Sequence, residues 1–298
     1  MKTNRVLILL SMIIMIAVVI GGCSDSSGSA ATSDADKVLV VGAIPDQNIS
    51  DLTRRFDLFA DYLGEKTGLE VKYAPSVDYA ALVTAFKRGE IQLAWFGGLT
   101  GVQARELVPG SDAIAQRPRD SQFHSVFIAQ SGLNVKSLKN LTGLSFTFGS
   151  ESSTSGHLMP RYFLLQEGIN AETDFEGMPN FSGSHDKTWK LVESGAYQAG
   201  ALNEAVWQAA LAEGKVDTDK VEMFYTTPPY FDYNWTIHAD VGEMFGPGTK
   251  DKITDALLSM GQEQKEILAL FAADSFVETN NENYQAIEQV AAELGIIK

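Results

Sequence analysis

Three consecutive hydroxyl residues, Ser153, Thr154 and Ser155, lie between the apolar run L-S-F-T-F (144–148) and a stretch with helical spacing over 156–167. A strand ending at Phe148 and a helix opening near Ser153 would place all three at a helix mouth. The first N–H groups of a helix have no partner within it, and its dipole brings about half a positive charge to that end. Added O–H donors would make an oxyanion site with no formal positive charge. Gly156, next in line, would let a ligand approach the backbone. The same run reads equally well as an ordinary Ser/Thr helix cap.

Other chemistries fit less well. The four histidines, His124, His157, His185 and His238, lack the close spacing of metal ligands. A secreted serine hydrolase built on Ser155 is the enzyme alternative. The nearest approach to a nucleophile elbow, Gly149-Ser150-Glu151-Ser152-Ser153, lacks the closing glycine. Three hydroxyls in a row suit a cradle better than one activated nucleophile. No cofactor is expected.

The elements that must position this run alternate along the chain. V-L-V-V-G-A-I (38–44) reads as a buried strand; Leu52, Phe56, Phe59 and Leu63 then recur at helical spacing, with Asp51 near the start and Gly64 and Gly68 near the end. Strands follow at 69–73 and 91–96, with helices over 79–88 and 99–107. Extended pieces at 113–117 and 124–131 lead into a second half of similar style. That half has strands at 144–150, 199–202 and 221–226, and helices near 156–167, from His185, and over 204–213. Pro228-Pro229 stop a strand, a new extended run reaches 241, and the C-terminus is helical. Strand–helix alternation predicts an α/β fold with a parallel-rich sheet in each of two bodies, the chain passing between them twice. Ligands of such sheets sit beyond the carboxyl ends of the strands, so loops after strands are where to look.

On these residues the chain resembles the phosphate/phosphite/phosphonate-type substrate-binding proteins of ABC importers. The matching pieces are D-Y-A-A-L-V-T-A-F (78–86), A-W-F-G-G (94–98), H-S-V-F-I-A (124–129), S-S-T-S-G-H-L-M-P-R-Y (152–162), G-S-H (183–185) and T-P-P-Y-F-D-Y-N-W (227–235). The resemblance implies a two-lobed periplasmic-binding-protein clamp of type II, not an enzyme, with the ligand between lobes at 38–126 plus 232–298 and 127–231. It implies an oxyanion cradle at Ser153, Thr154, Ser155 and Gly156, an oxyanion histidine at His185, and a first-lobe tyrosine at Tyr79. Phe123 stands where many members have an aromatic cleft wall, His124 adds a donor beside it, and Asp232 resembles an acid near the cleft. Members that take aminoalkylphosphonates carry a second-lobe carboxylate; counting from His185 that place falls at Ala205, beside Asn203 and Glu204, and a shift of one would restore an acid. These departures favour a compact oxyanion: selenate, phosphite, phosphate or a small phosphonate. Relatives sharing W-F-G-G-L-T-G-V-Q-A-R (95–105) are commonly labelled selenate binders.

Asp232 discriminates among such ligands. Sulfate and selenate are fully ionised dianions with no proton to give, so a buried carboxylate facing them is repulsive. A protonated anion can donate to it. If Asp232 faces the ligand, phosphate-like anions gain; if it faces elsewhere, selenate-like dianions gain.

The N-terminus sets the compartment. Lys2 and Arg5 precede an apolar run from Val6 to Ile20, and Gly21-Gly22-Cys23 follow. This resembles a bacterial lipoprotein signal over 1–22, with Cys23 as the lipidated residue and 23–37 as a flexible tether of at most about 50 Å. Cys23 is the only cysteine, so acylation leaves no disulfide. The net charge is −15, and the two leader basics take it to −17 in the remainder. Such an acidic chain is a poor partner for nucleic acid or anionic lipid, though local dipoles can still hold a small anion. The expected partners are the ligand, an ABC permease and the membrane through the lipid, with the protein a monomer facing the periplasm or cell exterior. A ligand-sensing clamp for a membrane kinase is the alternative that this pattern leaves open.

Overall fold

In the computed structural model, residues 37–297 are described. The leader, Cys23 and nearly all of the tether lie outside the described residues. Eleven strands are present among them: β1 Val38–Ala43, β2 Glu70–Pro75, β3 Leu93–Phe96, β4 Asp112–Gln116, β5 Ser125–Gln130, β6 Phe146–Phe148, β7 Asn180–Phe181, β8 Ala199–Asn203, β9 Val221–Thr226, β10 Asn234–Ile237 and β11 Val277–Glu278. The helices are α1 Ile49–Thr67, α2 Tyr79–Lys87, α3 Gly98–Leu107, α4 Met159–Gln166, α5 His185–Glu193, α6 Glu204–Ala212, α7 Val241–Phe245, α8 Thr249–Leu258, α9 Lys265–Leu270 and α10 Gln285–Glu293.

Helix α1 shows how local sequence sets an element. The Asn48 side chain accepts the Ser50 N–H at 2.9 Å, satisfying an orphan donor of the first turn. Gly68 ends the helix at φ 74°, a left-handed conformation that costs a glycine little, and its N–H donates to the Gly64 carbonyl. Leu52, Phe56, Phe59 and Leu63 are buried, as their spacing predicts. Phe59 stacks on Trp235 at 4.4 Å, and Phe56 and Phe271 close the same aromatic cluster edge-on. Burying each such ring contributes roughly 1.5–3 kcal/mol.

The strands form two sheets, ordered β11-β4-β10-β3-β1-β2 and β7-β6-β8-β5-β9. The first draws on 38–116, 234–237 and 277–278; the second draws on 125–226. Most strands of each sheet run one way, because helices bridge them and a parallel pair needs a long crossover. The reversed strands have an origin in topology. β5 enters the second sheet directly after the chain leaves the first, and pairs antiparallel with β8 and β9. β10 enters the first sheet after the return, and pairs antiparallel with β3 and β4. The two passing segments touch at Phe123 and Tyr230, which exchange backbone hydrogen bonds of 2.9 and 3.0 Å. The short strands β7 and β11 were not expected from sequence: two residues carry no periodicity, and neighbours alone define them.

Candidate functional site

The hydroxyl run follows β6, as the loop rule requires, but it does not open on an α-turn. Thr154–Leu158 is a π-turn, in which the Leu158 N–H donates to the Ser153 carbonyl at 3.0 Å. Pro160 supplies a reason. It has no N–H, so the carbonyls of Ser155 and Gly156 are left without a helical donor. The Gly149 N–H takes that of Gly156 at 2.8 Å, and the Ser125 hydroxyl takes that of Ser155 at 2.8 Å. Ser125 has thereby used its one proton, so the Tyr230 hydroxyl donates to Ser125 Oγ across their 2.6 Å contact.

Ser153, Thr154 and Ser155 are all buried. Ser153 caps the turn by accepting the Gly156 N–H at 2.9 Å. Thr154 Oγ1 accepts the Leu99 N–H at 3.0 Å. Both hydroxyls keep their protons for donation. Gly156 serves a different approach from the one expected. A Cβ there would sit 3.0 Å from the Gly149 Cα and 3.1 Å from the His185 Cε1, so the missing side chain admits a loop and an imidazole.

His185 opens α5 and is 1% exposed. Its backbone N–H donates to the Asp46 carbonyl at 3.0 Å. The Asn203 N–H lies 3.3 Å from Nδ1, which must therefore accept; the ring proton sits on Nε2. Burial pushes the ring down to about 4, so it is a neutral donor, and Nε2 is buried without a protein partner. Tyr79 opens α2 behind its cap Asp78; its phenol is also buried and unpartnered, and burial beside Asp46 and Asp232 raises it well above the usual phenol range.

Asp232, 1% exposed, stands just before β10. Its Oδ1 accepts the Gly98 N–H at 2.9 Å, while Oδ2 is buried with no partner. Burial raises the carboxyl to about 7; the Gly98 N–H and the nearby Thr154 and Ser155 hydroxyls oppose the rise. Gly97 makes this closeness possible: a Cβ at 97 would come 3.1 Å from Thr154 Oγ1 and 3.2 Å from Asp232 Oδ1.

The remaining candidates do other work in this geometry. Phe123 is buried at the crossing and packs on Tyr230 and Tyr233. Half-buried His124 places Nδ1 2.6 Å from the Thr227 carbonyl, so its proton ties the two passing segments. Asn203 caps α6 through Val206 and donates to the Tyr233 hydroxyl at 3.1 Å. Sequence reasoning missed Asp46 and Tyr233, which hydrogen-bond at 2.7 Å. Asp46 follows β1, so the loop-after-strand rule could have found it. Tyr233 sits inside the matched T-P-P-Y-F-D-Y-N-W piece with no signal of its own.

Of the eight buried side-chain polar atoms without protein partners among the described residues, three belong to candidate site residues on separate elements: Tyr79 Oη, His185 Nε2 and Asp232 Oδ2. The Asp232 charge raises the Tyr79 phenol while hydrogen bonding from Ser153 lowers it, and hydrogen bonding from Thr154 and Ser155 lowers the Asp232 carboxyl. The set offers neutral donors and one carboxylate, suited to holding an anion by oriented hydrogens in a site closed to water.

The fold is that of a type II periplasmic binding protein. A model of the family described as "ABC transporter, phosphonate, periplasmic substrate-binding protein" matches residues 41–284, and the chain belongs to that family. A probable ABC transporter phosphite binding protein, PhnD1, from Prochlorococcus marinus (strain MIT 9301) is 45% identical over 272 residues, covering 88% of this chain and 91% of the relative. The crystal structure of PhnD1 from that organism in complex with methylphosphonate matches at TM-score 0.85 and 44% identity, over 88% of this chain and 99% of the other. A binding component of a phosphonate ABC transporter from Pseudomonas aeruginosa shares the fold at TM-score 0.74 and 20% identity, over 85% of each chain. The protein is therefore a periplasmic solute receptor of an ABC importer, not an enzyme.

Proposed function

We propose that the ligand is a small oxyanion carrying one proton, phosphite or methylphosphonate, held by Ser153, Thr154, Ser155, Tyr79 and His185 against Asp232. The observation that carries this reading is Asp232 Oδ2, buried and unpartnered beside neutral donors. In its ionised form, which prevails above about 7, a carboxylate in that position needs a hydrogen from its guest. Phosphite and phosphonate anions hold one near neutral pH; sulfate and selenate do not. The phosphite and methylphosphonate named for the relatives agree with this preference. Titration calorimetry at pH 7 with phosphite, methylphosphonate, phosphate, sulfate and selenate tests it; selenate binding as tightly as phosphite overturns it.

The lobes, 38–126 with 232–298 and 127–231, would part about the segments that touch at Phe123 and Tyr230, and closure would bury the anion. Sheet membership supports that division. The signal reading of 1–22 supports acylation of Cys23 and a membrane tether, from which the receptor would deliver its ligand to a permease. Mass spectrometry of the mature N-terminus checks the acylation.

A further inference from the structure

We propose that His157 is a positioning residue for the anion: its imidazole is a strut that brackets the hydroxyl run and fixes Ser153, Thr154 and Ser155 in their donating geometry. This rests on the oxyanion reading above and adds to it a residue that acts through the cradle. The loop from Gly149 to Leu158 folds back on itself. Backbone bonds join Gly149 N–H to the Gly156 carbonyl at 2.8 Å, Ser153 N–H to the Ser150 carbonyl at 3.0 Å and Leu158 N–H to the Ser153 carbonyl at 3.0 Å. The carbonyl of Glu151, at the outer corner, is held by a side chain instead: His157 Nδ1 lies 2.7 Å from it. One ring thereby ties residue 151 to residue 157, with the three hydroxyls between them.

The ring's partners decide its protonation. A carbonyl can only accept, so Nδ1 carries the proton. The Arg161 Nε–H donates to Nε2 at 2.8 Å, and a guanidinium can only donate, so Nε2 is bare. His157 is therefore neutral, in the tautomer opposite to that of His185. The strut has a firm base. His157 is 6% exposed, and its ring meets Phe148 of β6 at 5.0 Å and Phe181 of β7 at 4.9 Å, both edge-on. The Arg161 guanidinium lies 5.1 Å from the Phe148 ring and pairs with Glu172, which fixes the donor to Nε2 in turn. The π-turn has spent few of its own backbone bonds on the corner at 151, so the position of Ser153 relative to the sheet depends on this ring.

The experiment measures dissociation constants of phosphite and methylphosphonate, and denaturant unfolding without ligand, for the wild type, His157→Asn and His157→Gln. Asparagine puts an amide N–H where Nδ1 stands; it keeps the bond to Glu151 and leaves Arg161 without its acceptor. Glutamine puts an amide oxygen where Nε2 stands; it keeps Arg161 and releases Glu151. Each variant gives up one bond, so a histidine that served stability alone would make affinity follow stability in both. The strut predicts a split instead: the asparagine variant stays within about threefold of the wild type, and the glutamine variant weakens both anions by at least about tenfold. Equal affinities of the two variants, or a larger loss in the asparagine variant, overturn the strut. Nitrogen-15 spectra of the wild type give a second reading that needs no variant to fold. His157 is expected to show a protonated Nδ1 and a bare Nε2, and the reverse tautomer overturns the strut. A wild type that binds neither phosphite nor methylphosphonate overturns the oxyanion reading itself, and the strut's part in it.

Discussion

Thr154 and Asp232 are held side by side by consecutive N–H groups of one helix. Leu99 donates to Thr154 Oγ1 at 3.0 Å, and Gly98 donates to Asp232 Oδ1 at 2.9 Å. The first turn of α3 thus fastens a residue of the cradle, which follows the second sheet's β6, to an acid that precedes the first sheet's β10. Its dipole favours the carboxylate charge, while burial opposes it.

Under the proposed function, Asp232 is the residue that selects among anions. Asp232→Asn replaces an acceptor with a donor. Phosphite affinity should fall about 10–100-fold, from a lost charged hydrogen bond of roughly 1.5–3 kcal/mol, while selenate and sulfate affinity should rise. Calorimetry on both anion classes reads the inversion; a parallel loss for all anions contradicts it.

Asp232 also links folding to pH. Its folded value of about 7 lies above the ordinary carboxyl value of about 4, so the native state holds an extra proton between them. Stability from this group is present in full below about pH 4 and declines as pH rises through about 7. The ligand-free Asp232→Asn variant should therefore melt higher than the wild type at pH 8, with a smaller difference at pH 5. Thermal unfolding at the two pH values checks this.

His185 titrates in the opposite sense. Its folded value of about 4 lies below the ordinary imidazole value near 6.5, so the unfolded chain binds the extra proton. Stability is kept above about 6.5 and lost as pH falls toward 4. His157, likewise pushed down to about 4 by burial, adds to this acid lability. Nitrogen-15 spectra should show His185 as the neutral Nε2–H tautomer from pH 6 to 8. His185→Ala and Ser155→Ala should each weaken phosphite binding by about 10–100-fold through lost donors.

Two glycines separate packing from binding. Gly156→Ala brings Cβ against the Gly149 backbone at 3.0 Å and should cost about 1–3 kcal/mol in denaturant unfolding. Gly97→Ala meets side-chain atoms alone, Thr154 Oγ1 at 3.1 Å, Asp232 Oδ1 at 3.2 Å and Ile44 Cδ1 at 3.6 Å, and no backbone. It should leave most stability intact while lowering phosphite affinity more than tenfold, because both oxygens belong to the proposed site.

The buried Arg117–Asp120 pair supports the crossing. Arg117 Nη2 lies 2.6 Å from Asp120 Oδ1, and the Asp120 carbonyl accepts the Asp232 N–H at 3.0 Å. Asp120→Ala strands a buried guanidinium and should cost about 3–5 kcal/mol. Chemical denaturation measures it.

Much of the frame was legible in the residue order. Apolar spacing located α1 and its buried face, a short β-branched run located β1, an apolar run ended by Gly97-Gly98 located β3, and Gly68 marked a helix end, because these depend on neighbours along the chain. The cluster S-S-T-S-G was legible from local properties as either an anion cradle or an ordinary helix cap, and His185 was singled out only by the family resemblance. What sequence could not show was which lone pairs are already spent. The π-turn depends on Pro160 together with Ser125 and Gly149, which lie outside the turn itself. The tautomer of His185 depends on Asn203, 18 residues away, and the environment of Asp232 on Gly98, 134 residues away. Residue types and spacing decide which groups can donate or accept. Only the tertiary structure decides which are left over, because a hydrogen bond is a matter of distance and direction between segments that the linear order keeps apart.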